Sequence, residues 1–239
     1  MRQHVKIFAH RGASGHALEN TFQAFNKAVE MNADGIEMDL QCSKDGELFV
    51  FHDINLFRLV GINRDFNECL SKEIDEFKIG RHFLRYFINS RIPSAEAFIK
   101  WLIENPVLVN IELKESVLKH KDNLVAWLKD LELPNGSHFS SFNLELVQIV
   151  KQVRPDFEVA IIVTKQFNWD QLQTMDEIDA IHASKKYYKR QFLNAAQKAN
   201  KPMRFYGIKG NEQFLKYPHP IVTGWITDYP KKVANYIKK

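Results

Sequence analysis

The stretch FAHRGASGHALENTFQAFNKAVEMNADGIEMDLQCSKDGELFVFHD, residues 8–53, decides the fold that we predict for this chain. It contains a short strand pattern, then a helical pattern, then a second strand, GIEMDLQC, over residues 35–42. Because side chains alternate along a strand, Glu37 and Asp39 share one face of this segment and apolar residues share the other. A strand that is buried on both faces holds two acids on one of them only where a cationic group receives them. The pattern therefore predicts a strand of a buried sheet that presents two carboxylates to a cation.

Strand-like runs alternate with helix-like runs along the rest of the chain, which is typical of βα units around a parallel sheet. A hairpin strand is predicted over residues 48–53. Residues 54 to about 92 then mix charged and aromatic residues in short irregular runs, and we interpret them as a small insertion after the second strand and its hairpin. Counting helices around 169–178 and 211–216, the pattern gives eight strands and eight helices without the hairpin strand. We predict an α/β fold, a (β/α)8 TIM barrel that forms a single domain over residues 1–239.

The composition and charge point to solvated surfaces and a reduced protein. The net charge is +4 and, apart from KKYYKR (185–190) and the C-terminal lysines, the basic residues are scattered, so we expect solvated faces and no nucleic-acid partner. Cys42 and Cys69 form no metal-binding or disulfide pattern. The N-terminus lacks the apolar segment of a signal peptide, and no apolar run reaches membrane-spanning length. We expect a soluble cytoplasmic protein without an integral membrane segment; no oligomeric state is predicted.

Short polar motifs punctuate the predicted strand ends. In order along the chain they are His10-Arg11-Gly12, Glu19-Asn20-Thr21, Glu37-x-Asp39, Asp45-Gly46 and His52-Asp53. In this order and at this spacing they resemble the motifs of the glycerophosphodiester phosphodiesterase family. Glu112-x-Lys114, on a predicted strand over 107–114, resembles the second acidic motif of that family, and Thr227-Asp228-Tyr229-Pro230 resembles its C-terminal motif. The resemblance implies a barrel whose active site lies at the C-terminal ends of the strands.

The acids of these motifs are expected to hold a divalent metal, Mg²⁺ or Ca²⁺. Three carboxylates within ~4 Å repel by roughly 4 kcal/mol per pair at an effective dielectric of about 20, and all-oxygen ligands suit a hard cation. Glu37, Asp39 and Glu112 contribute −3, and Arg11 and Lys114 contribute +2. A divalent metal adds +2 and a phosphodiester adds −1, so the sum is zero. The predicted site is neutral only when metal and diester are both bound.

The resemblance also implies roles for other residues. His10 and His52 are expected to form a general acid–base pair, without an assignment of which ring is the acid. Arg11 is expected to clamp the phosphate, and Lys114 to stabilise charge on the phosphoryl oxygens. Glu19 is expected near the substrate.

Aromatic residues are expected to contact the glycerol. Phe142, in Ser141-Phe142-Asn143, is the predicted apolar wall of the glycerol site. The tryptophan motif that the family has on its seventh strand is missing, and Phe205-Tyr206-Gly207 occupies that region. We expect Trp225 on the eighth strand to fill this wall instead. Leu18 replaces a proline that the family usually has before the Glu-Asn-Thr motif. We expect this change to affect the stiffness of the loop more than the chemistry of the site.

The function implied by the resemblance is metal-dependent hydrolysis of glycerophosphodiesters to glycerol 3-phosphate and an alcohol. The attacking group is either water or the neighbouring hydroxyl of the glycerol. One alternative is a lysophospholipase D activity on lysophospholipids, which requires an apolar rim for an acyl chain. Another is a catalytically silent barrel that binds a phosphodiester.

Overall fold

The βα pattern of the sequence forms a closed barrel in the computed structural model, which describes residues 4–80 and 90–238. The strands are β1 (Lys6–His10), β2 (Gly35–Cys42), β3 (Leu48–Val50), β4 (Lys78–Ile79), β5 (Ser90–Arg91), β6 (Leu108–Leu113), β7 (His138–Ser141), β8 (Glu158–Ile162), β9 (Ala180–Ser184), β10 (Met203–Ile208) and β11 (Val222–Thr227). The helices are α1 (Phe22–Glu30), α2 (Ser71–Glu76), α3 (Ala95–Glu104), α4 (Lys121–Lys129), α5 (Leu144–Val153), α6 (Arg190–Lys198) and α7 (Pro230–Lys238). In the described part of the chain, eight parallel strands pair in the order β1-β11-β10-β9-β8-β7-β6-β2, and β2 pairs with β1 to close the circle. The predicted TIM barrel is confirmed.

Two of the predicted helices are not α-helices. The segment after β8 forms a 3₁₀ helix over Trp169–Thr174, and the segment after β10 forms one over Gln213–Leu215. In the first, apolar Trp169, Leu172 and Met175 recur every third residue, which matches the period of a 3₁₀ helix and not 3.6. In the second, Pro218 restricts the backbone of the preceding residue and limits the helix to a single turn.

The hairpin strand is shorter than predicted and carries His52 to the mouth of the barrel. β3 ends at Val50 and runs antiparallel to the end of β2, with Leu40 opposite Val50. The backbone N–H of Phe51 then donates to the carbonyl of Asp39 at 3.0 Å. This contact places the next residue, His52, beside the acids of β2.

The predicted insertion is present as a small substructure with its own apolar core. It includes a 3₁₀ helix over Phe66–Glu68, helix α2 and the two-stranded β4–β5 pair. Its core is separate from the main core and is formed by Phe49, Phe51, Leu56, Leu59, Val60, Phe66, Cys69, Ile74, Ile79 and Ile92. Residues 81–89 of the insertion lie outside the described residues. Among the described residues, no helix is long and apolar enough to cross a bilayer.

Candidate active site at the C-terminal ends of the strands

The three predicted metal ligands converge on one point. Strand register places His10 beside Glu37, and Asp39 beside Glu112, on neighbouring strands. Glu37, Asp39 and Glu112 each offer a carboxylate oxygen, and these oxygens lie within 4.8 Å of one another. Since alternation turns all three inward while Met38 enters the outer core, the predicted facing of β2 is correct. An all-oxygen set at this separation fits a hard divalent cation.

The three carboxyl groups are not electrostatically equivalent. Burial opposes ionisation of Asp39, but Lys114 and Arg11 hold its pKa well below the ordinary value. The ammonium of Lys114 lies 2.8 Å from Asp39 Oδ1, and Arg11 Nε lies 3.2 Å from Asp39 Oδ2. Burial and the charge of Asp39 raise the pKa of Glu112 to about 7, and the same two causes raise the pKa of Glu37. The chain's own cations therefore serve Asp39 first, and two carboxylates remain that gain from a further cation.

The loop after β1 is strained and brings Arg11 into the site. Arg11 and Gly12 both adopt left-handed backbone conformations, with φ of 55° and 77°. A Cβ on Gly12 would lie 2.6 Å from the backbone of Ala24, so this turn requires glycine. The turn aims the backbone N–H of Arg11 at Glu37 Oε2, 2.9 Å away, and the Arg11 side chain donates to Glu19 Oε1 at 2.6 Å. Strain at this non-glycine position is typical of a functional loop.

A carboxylate from the last strand end orients His10. Its Nδ1 lies 2.7 Å from Asp228 Oδ1, and its Nε2 lies 3.9 Å from Glu37 Oε2. Asp228 is also bound by Lys209 Nζ at 2.9 Å. Burial acts to lower the pKa of His10, but the Glu37 charge and the Asp228 hydrogen bond together raise it above 6.5. Because Asp228 is ionised and accepts a hydrogen bond from Nδ1–H, Nε2 is the nitrogen that faces the acids.

His52 is held in the same way by its neighbour in sequence. His52 Nδ1 lies 2.9 Å from Asp53 Oδ1. The pKa of Asp53 is lowered by its hydrogen bonds with His52 and Arg58, which outweigh the effect of burial. Each of the two predicted catalytic histidines thus has a carboxylate on Nδ1 and its other nitrogen available.

Both histidines open into one cavity of about 220 Å³. Its lining is formed by His10, Arg11, Glu37, His52, Asn110, Glu112, Phe142, Ile162, His182, Tyr206 and Ile226. Phe142 is half exposed at its rim, where an apolar wall was predicted. Lys114 and Asp39 lie beneath the lining, where Lys114 also contacts Glu112. The cavity therefore combines acids, three imidazoles and one guanidinium with an apolar wall.

The prediction for Trp225 is wrong. Its ring is fully buried on the outer side of β11 and packs against Phe205 and Phe214, with centroids 6.1 and 5.5 Å away. Alternation explains the error, because the next residue, Ile226, lines the cavity and Trp225 must face the other way. Tyr206 supplies the aromatic side chain on this side of the cavity.

Three further residues lie around the site. Glu19 lies behind Arg11, bound by the Arg11 and Arg58 guanidinium groups, and lines a neighbouring groove of about 550 Å³ with His10 and Tyr229. Arg58 was missed, because an arginine in an irregular insertion has no sequence pattern that separates it from surface arginines. His182 belongs to none of the motifs, and its inward position on β9 makes it the floor of the cavity.

Comparison with known proteins agrees with this geometry. A model of the glycerophosphoryl diester phosphodiesterase family matches residues 10–232. The glycerophosphodiester phosphodiesterase of Caldanaerobacter subterraneus subsp. tengcongensis is 28% identical over 238 residues, which cover 98% of each protein. The crystal structure of a glycerophosphodiester phosphodiesterase from Agrobacterium tumefaciens matches with a TM-score of 0.79 at 26% identity, over 97% of this chain and 100% of that chain. An Oleispira antarctica phosphodiesterase, solved in complex with the product sn-glycerol-3-phosphate, shares the fold with a TM-score of 0.85 at 22% identity, over 98% of this chain and 97% of that one. Since the family model spans nearly the whole sequence, this chain belongs to the glycerophosphoryl diester phosphodiesterase family.

Proposed function

We propose that this family member hydrolyses glycerophosphodiesters to glycerol 3-phosphate and an alcohol in a metal-dependent reaction. His10 and His52 form the general acid–base pair, and Glu37, Asp39 and Glu112 hold a divalent metal, Mg²⁺ or Ca²⁺. The observation that supports this most directly is the cavity itself, in which two carboxylate-oriented imidazoles flank an acidic cluster that contains more acid than the chain's own cations neutralise.

The two histidines supply the proton transfers that diester cleavage requires. One ring takes a proton from the attacking hydroxyl, and the other gives a proton to the departing alkoxide. The carboxylates Asp228 and Asp53 fix Nδ1 as the protonated nitrogen of each ring, so Nε2 faces the substrate in both cases. Both carboxylates also stabilise the imidazolium that forms during transfer.

The charged residues position the phosphate. Arg11 lines the cavity and presents a guanidinium that Glu19 and Asp39 hold in place. Lys114 keeps Asp39 ionised and contributes positive charge close to the phosphoryl oxygens. A bound divalent metal supplies further positive charge that polarises the phosphoryl group. Phe142 gives the glycerol carbons an apolar surface.

Lysophospholipid hydrolysis is the second candidate, because apolar side chains are exposed at the start of the insertion. Ile54 and Phe57 are 72% and 65% exposed and come one and four residues after Asp53. Together with Phe142 at the cavity rim, they are the exposed apolar side chains that an acyl chain would contact.

One assay separates these functions. Purified protein is stripped with EDTA, supplied with Mg²⁺ or Ca²⁺, and given glycerophosphocholine or lysophosphatidylcholine. We expect metal-dependent release of glycerol 3-phosphate from the first substrate; lysophosphatidic acid from the second would identify the lysophospholipase D activity. Absence of metal-dependent turnover of either would leave a phosphodiester-binding barrel.

Substitution of the histidines tests the mechanism. We expect His10→Ala and His52→Ala each to lower kcat by about 10²- to 10⁴-fold with the circular dichroism spectrum unchanged. His4→Ala is the matched control, because His4 is exposed and pairs with Asp34 away from the cavity. Near-normal kcat in either active-site variant would remove that residue from the proton transfers.

A further inference from the structure

Arg58, in the insertion, makes an unusually complete set of hydrogen bonds at the edge of the candidate site. Its Nε and Nη2 donate to the two oxygens of Asp53 at 2.6 and 2.9 Å. Its Nη1 and Nη2 donate to the two oxygens of Glu19 at 2.6 and 2.8 Å. One planar guanidinium therefore binds two carboxylates, each through both of its oxygens.

Each of these carboxylates is also the partner of a residue that lines the cavity. Asp53 Oδ1 binds His52 Nδ1 at 2.9 Å, and Glu19 Oε1 binds Arg11 Nη1 at 2.6 Å. The contacts form one continuous series, His52–Asp53–Arg58–Glu19–Arg11. The proposed acid–base residue and the proposed phosphate clamp are thus connected through a single side chain of the insertion.

The geometry of this series restricts motion that a single contact would allow. Asp53 lies beyond the end of β3 at Val50, so a side-chain contact, from Gln41 Nε2 to its carbonyl at 2.6 Å, holds its backbone in place of a strand ladder. A carboxylate bound at only one oxygen can rotate, whereas one bound at both oxygens by a planar fork has a fixed plane. Asp53 and Glu19 are also largely shielded, with side chains 18% and 10% exposed.

We propose that Arg58 is a positioning residue that fixes the orientation of His52 through Asp53 and of Arg11 through Glu19. Arg58 touches neither substrate nor metal in this role. It makes the turnover rate depend on the docking of the insertion against the barrel. The proposal rests on the proposed function insofar as His52 transfers a proton.

Arg64 offers a matched control within the same insertion. Its Nη1 and Nη2 bind the two oxygens of Glu73 at 2.8 and 3.2 Å, and its Nη2 also binds the carbonyl of Glu68. Within residues 4–80 and 90–238, these side-chain hydrogen bonds all stay inside the insertion. Replacing Arg64 therefore shows how loosening the insertion affects activity when the contacts of Arg58 are intact.

The kinetic test compares Arg58→Ala, Arg58→Lys and Arg64→Ala with glycerophosphocholine at saturating metal. We expect Arg58→Ala to lower kcat about 10- to 100-fold, by more than it changes KM, as is typical when the partner of a site residue is removed. Arg58→Lys, which keeps the charge but loses the fork, should recover only part of kcat. Arg64→Ala should keep kcat within about twofold of wild type, since its fork does not reach the site.

Chemical rescue makes the test specific to orientation. Arg58 is nearly half exposed, so millimolar guanidinium can enter the space left by Arg58→Ala and should restore several-fold of the lost kcat, whereas methylammonium should not. Equal kcat in Arg58→Ala and Arg64→Ala would overturn the proposal. A kcat loss in Arg58→Ala that neither guanidinium nor lysine improves would also overturn it.

A readout that does not need turnover separates this proposal from the proposed function. Imidazole ¹⁵N spectra should show His52 in one tautomer, with the proton on Nδ1, in wild type and in Arg64→Ala. In Arg58→Ala the two tautomers should average. If wild type hydrolyses no glycerophosphodiester, the proposed function fails, but these spectra still decide whether Arg58 orients His52. An unchanged His52 spectrum in Arg58→Ala would overturn the role of Arg58 while leaving hydrolysis intact.

Discussion

The two halves of the barrel interior hold polar residues in opposite ways. In the upper, acidic half, towards the C-terminal ends of the strands, Glu37, Asp39 and Glu112 form a cluster at the cavity that the chain only partly neutralises. In the lower, histidine half, towards the N-terminal ends of the strands, His138 and His182 are fully buried imidazoles with ring centroids 5.2 Å apart. His182 Nε2 has no hydrogen-bond partner among the described residues. The acidic half accumulates negative charge, whereas the two imidazoles of the other half stay neutral.

Burial acts on both halves, with opposite consequences. In the acidic half it raises the pKa of Glu112 to about 7, so the protein without metal resists the third negative charge. In the histidine half, burial and the nearby Arg204 charge lower the pKa of both imidazoles well below 6.5. The acidic half therefore carries negative charge that a bound cation would offset, whereas the histidine half keeps its rings neutral.

The largest expected effect comes from removing individual acids of the upper half. Asp39→Asn removes the partner of Lys114 and Arg11 and should destabilise the metal-free protein by about 3 kcal/mol. Glu112→Gln should instead stabilise the metal-free protein. The pKa of Glu112 is raised in the folded state, so stability is lost as pH rises from 4.5 to about 7. At pH 8 the full penalty is present, and its removal should stabilise the metal-free protein by about 1–3 kcal/mol.

Urea unfolding in EDTA at pH 8 measures both variants. Both should lose metal-dependent turnover, and excess metal should stabilise wild type by about 2.7 kcal/mol at 100 times its Kd, but neither variant to that extent. Equal destabilisation by the two substitutions would show that the acids are equivalent and would contradict the proposed division between Asp39 and Glu112.

For the lower half of the barrel we expect the stability to depend on pH in the reverse direction. The folded-state pKa of His138 lies below its unfolded value of 6.5, so the unfolded chain takes up a proton that the native state refuses. Stability is therefore lost as pH falls below 6.5. His138→Leu should make this loss shallower by up to about 1.4 kcal/mol per pH unit. The measurement is the free energy of unfolding between pH 6.5 and 5 at saturating metal, which holds the upper acids ionised.

His4→Leu is the control for the slope of unfolding free energy against pH. His4 is exposed, so this substitution removes an imidazole from the surface and not from the core. The variants are compared by slope and not by absolute stability, since the leucine in the core also changes packing against Phe8. Parallel slopes in wild type and His138→Leu would mean that the buried ring titrates as it does in the unfolded chain.

Local alternation was sufficient to predict the upper half from the sequence. Glu37, Asp39 and Glu112 face inward because each lies on a buried strand with apolar neighbours on both sides, and the parallel register then brings them together. The same rule would have corrected Trp225, since its neighbour Ile226 faces the cavity. The prediction of α-helices was wrong for the two 3₁₀ segments, because apolar residues every three positions resemble an incomplete α-helical pattern over so short a run.

Contacts between distant segments could not be predicted from the sequence. Asp228 belongs to a recognised motif, but its role as the partner of His10 depends on a contact across 218 positions that closes the barrel. Arg58 depends on a fork between two carboxylates that are themselves 34 positions apart, at 19 and 53. Side-chain geometry, and not residue pattern, defines both.

The smallest expected effect concerns the boundary where the upper half meets solvent. Phe142 is 49% exposed and lines the cavity beside the acids, so its ring is available to cover the carbons of a bound glycerol. Phe142→Ala should raise KM for glycerophosphocholine about fivefold, equivalent to roughly 1 kcal/mol of apolar contact, with kcat and stability nearly unchanged. Ile103→Ala on α3 is the control, because Ile103 is 74% exposed and does not line the cavity. An unchanged KM in Phe142→Ala would confine substrate recognition to the charged residues of the upper half, whereas a larger KM increase with lysophosphatidylcholine would show that the apolar rim contacts an acyl chain.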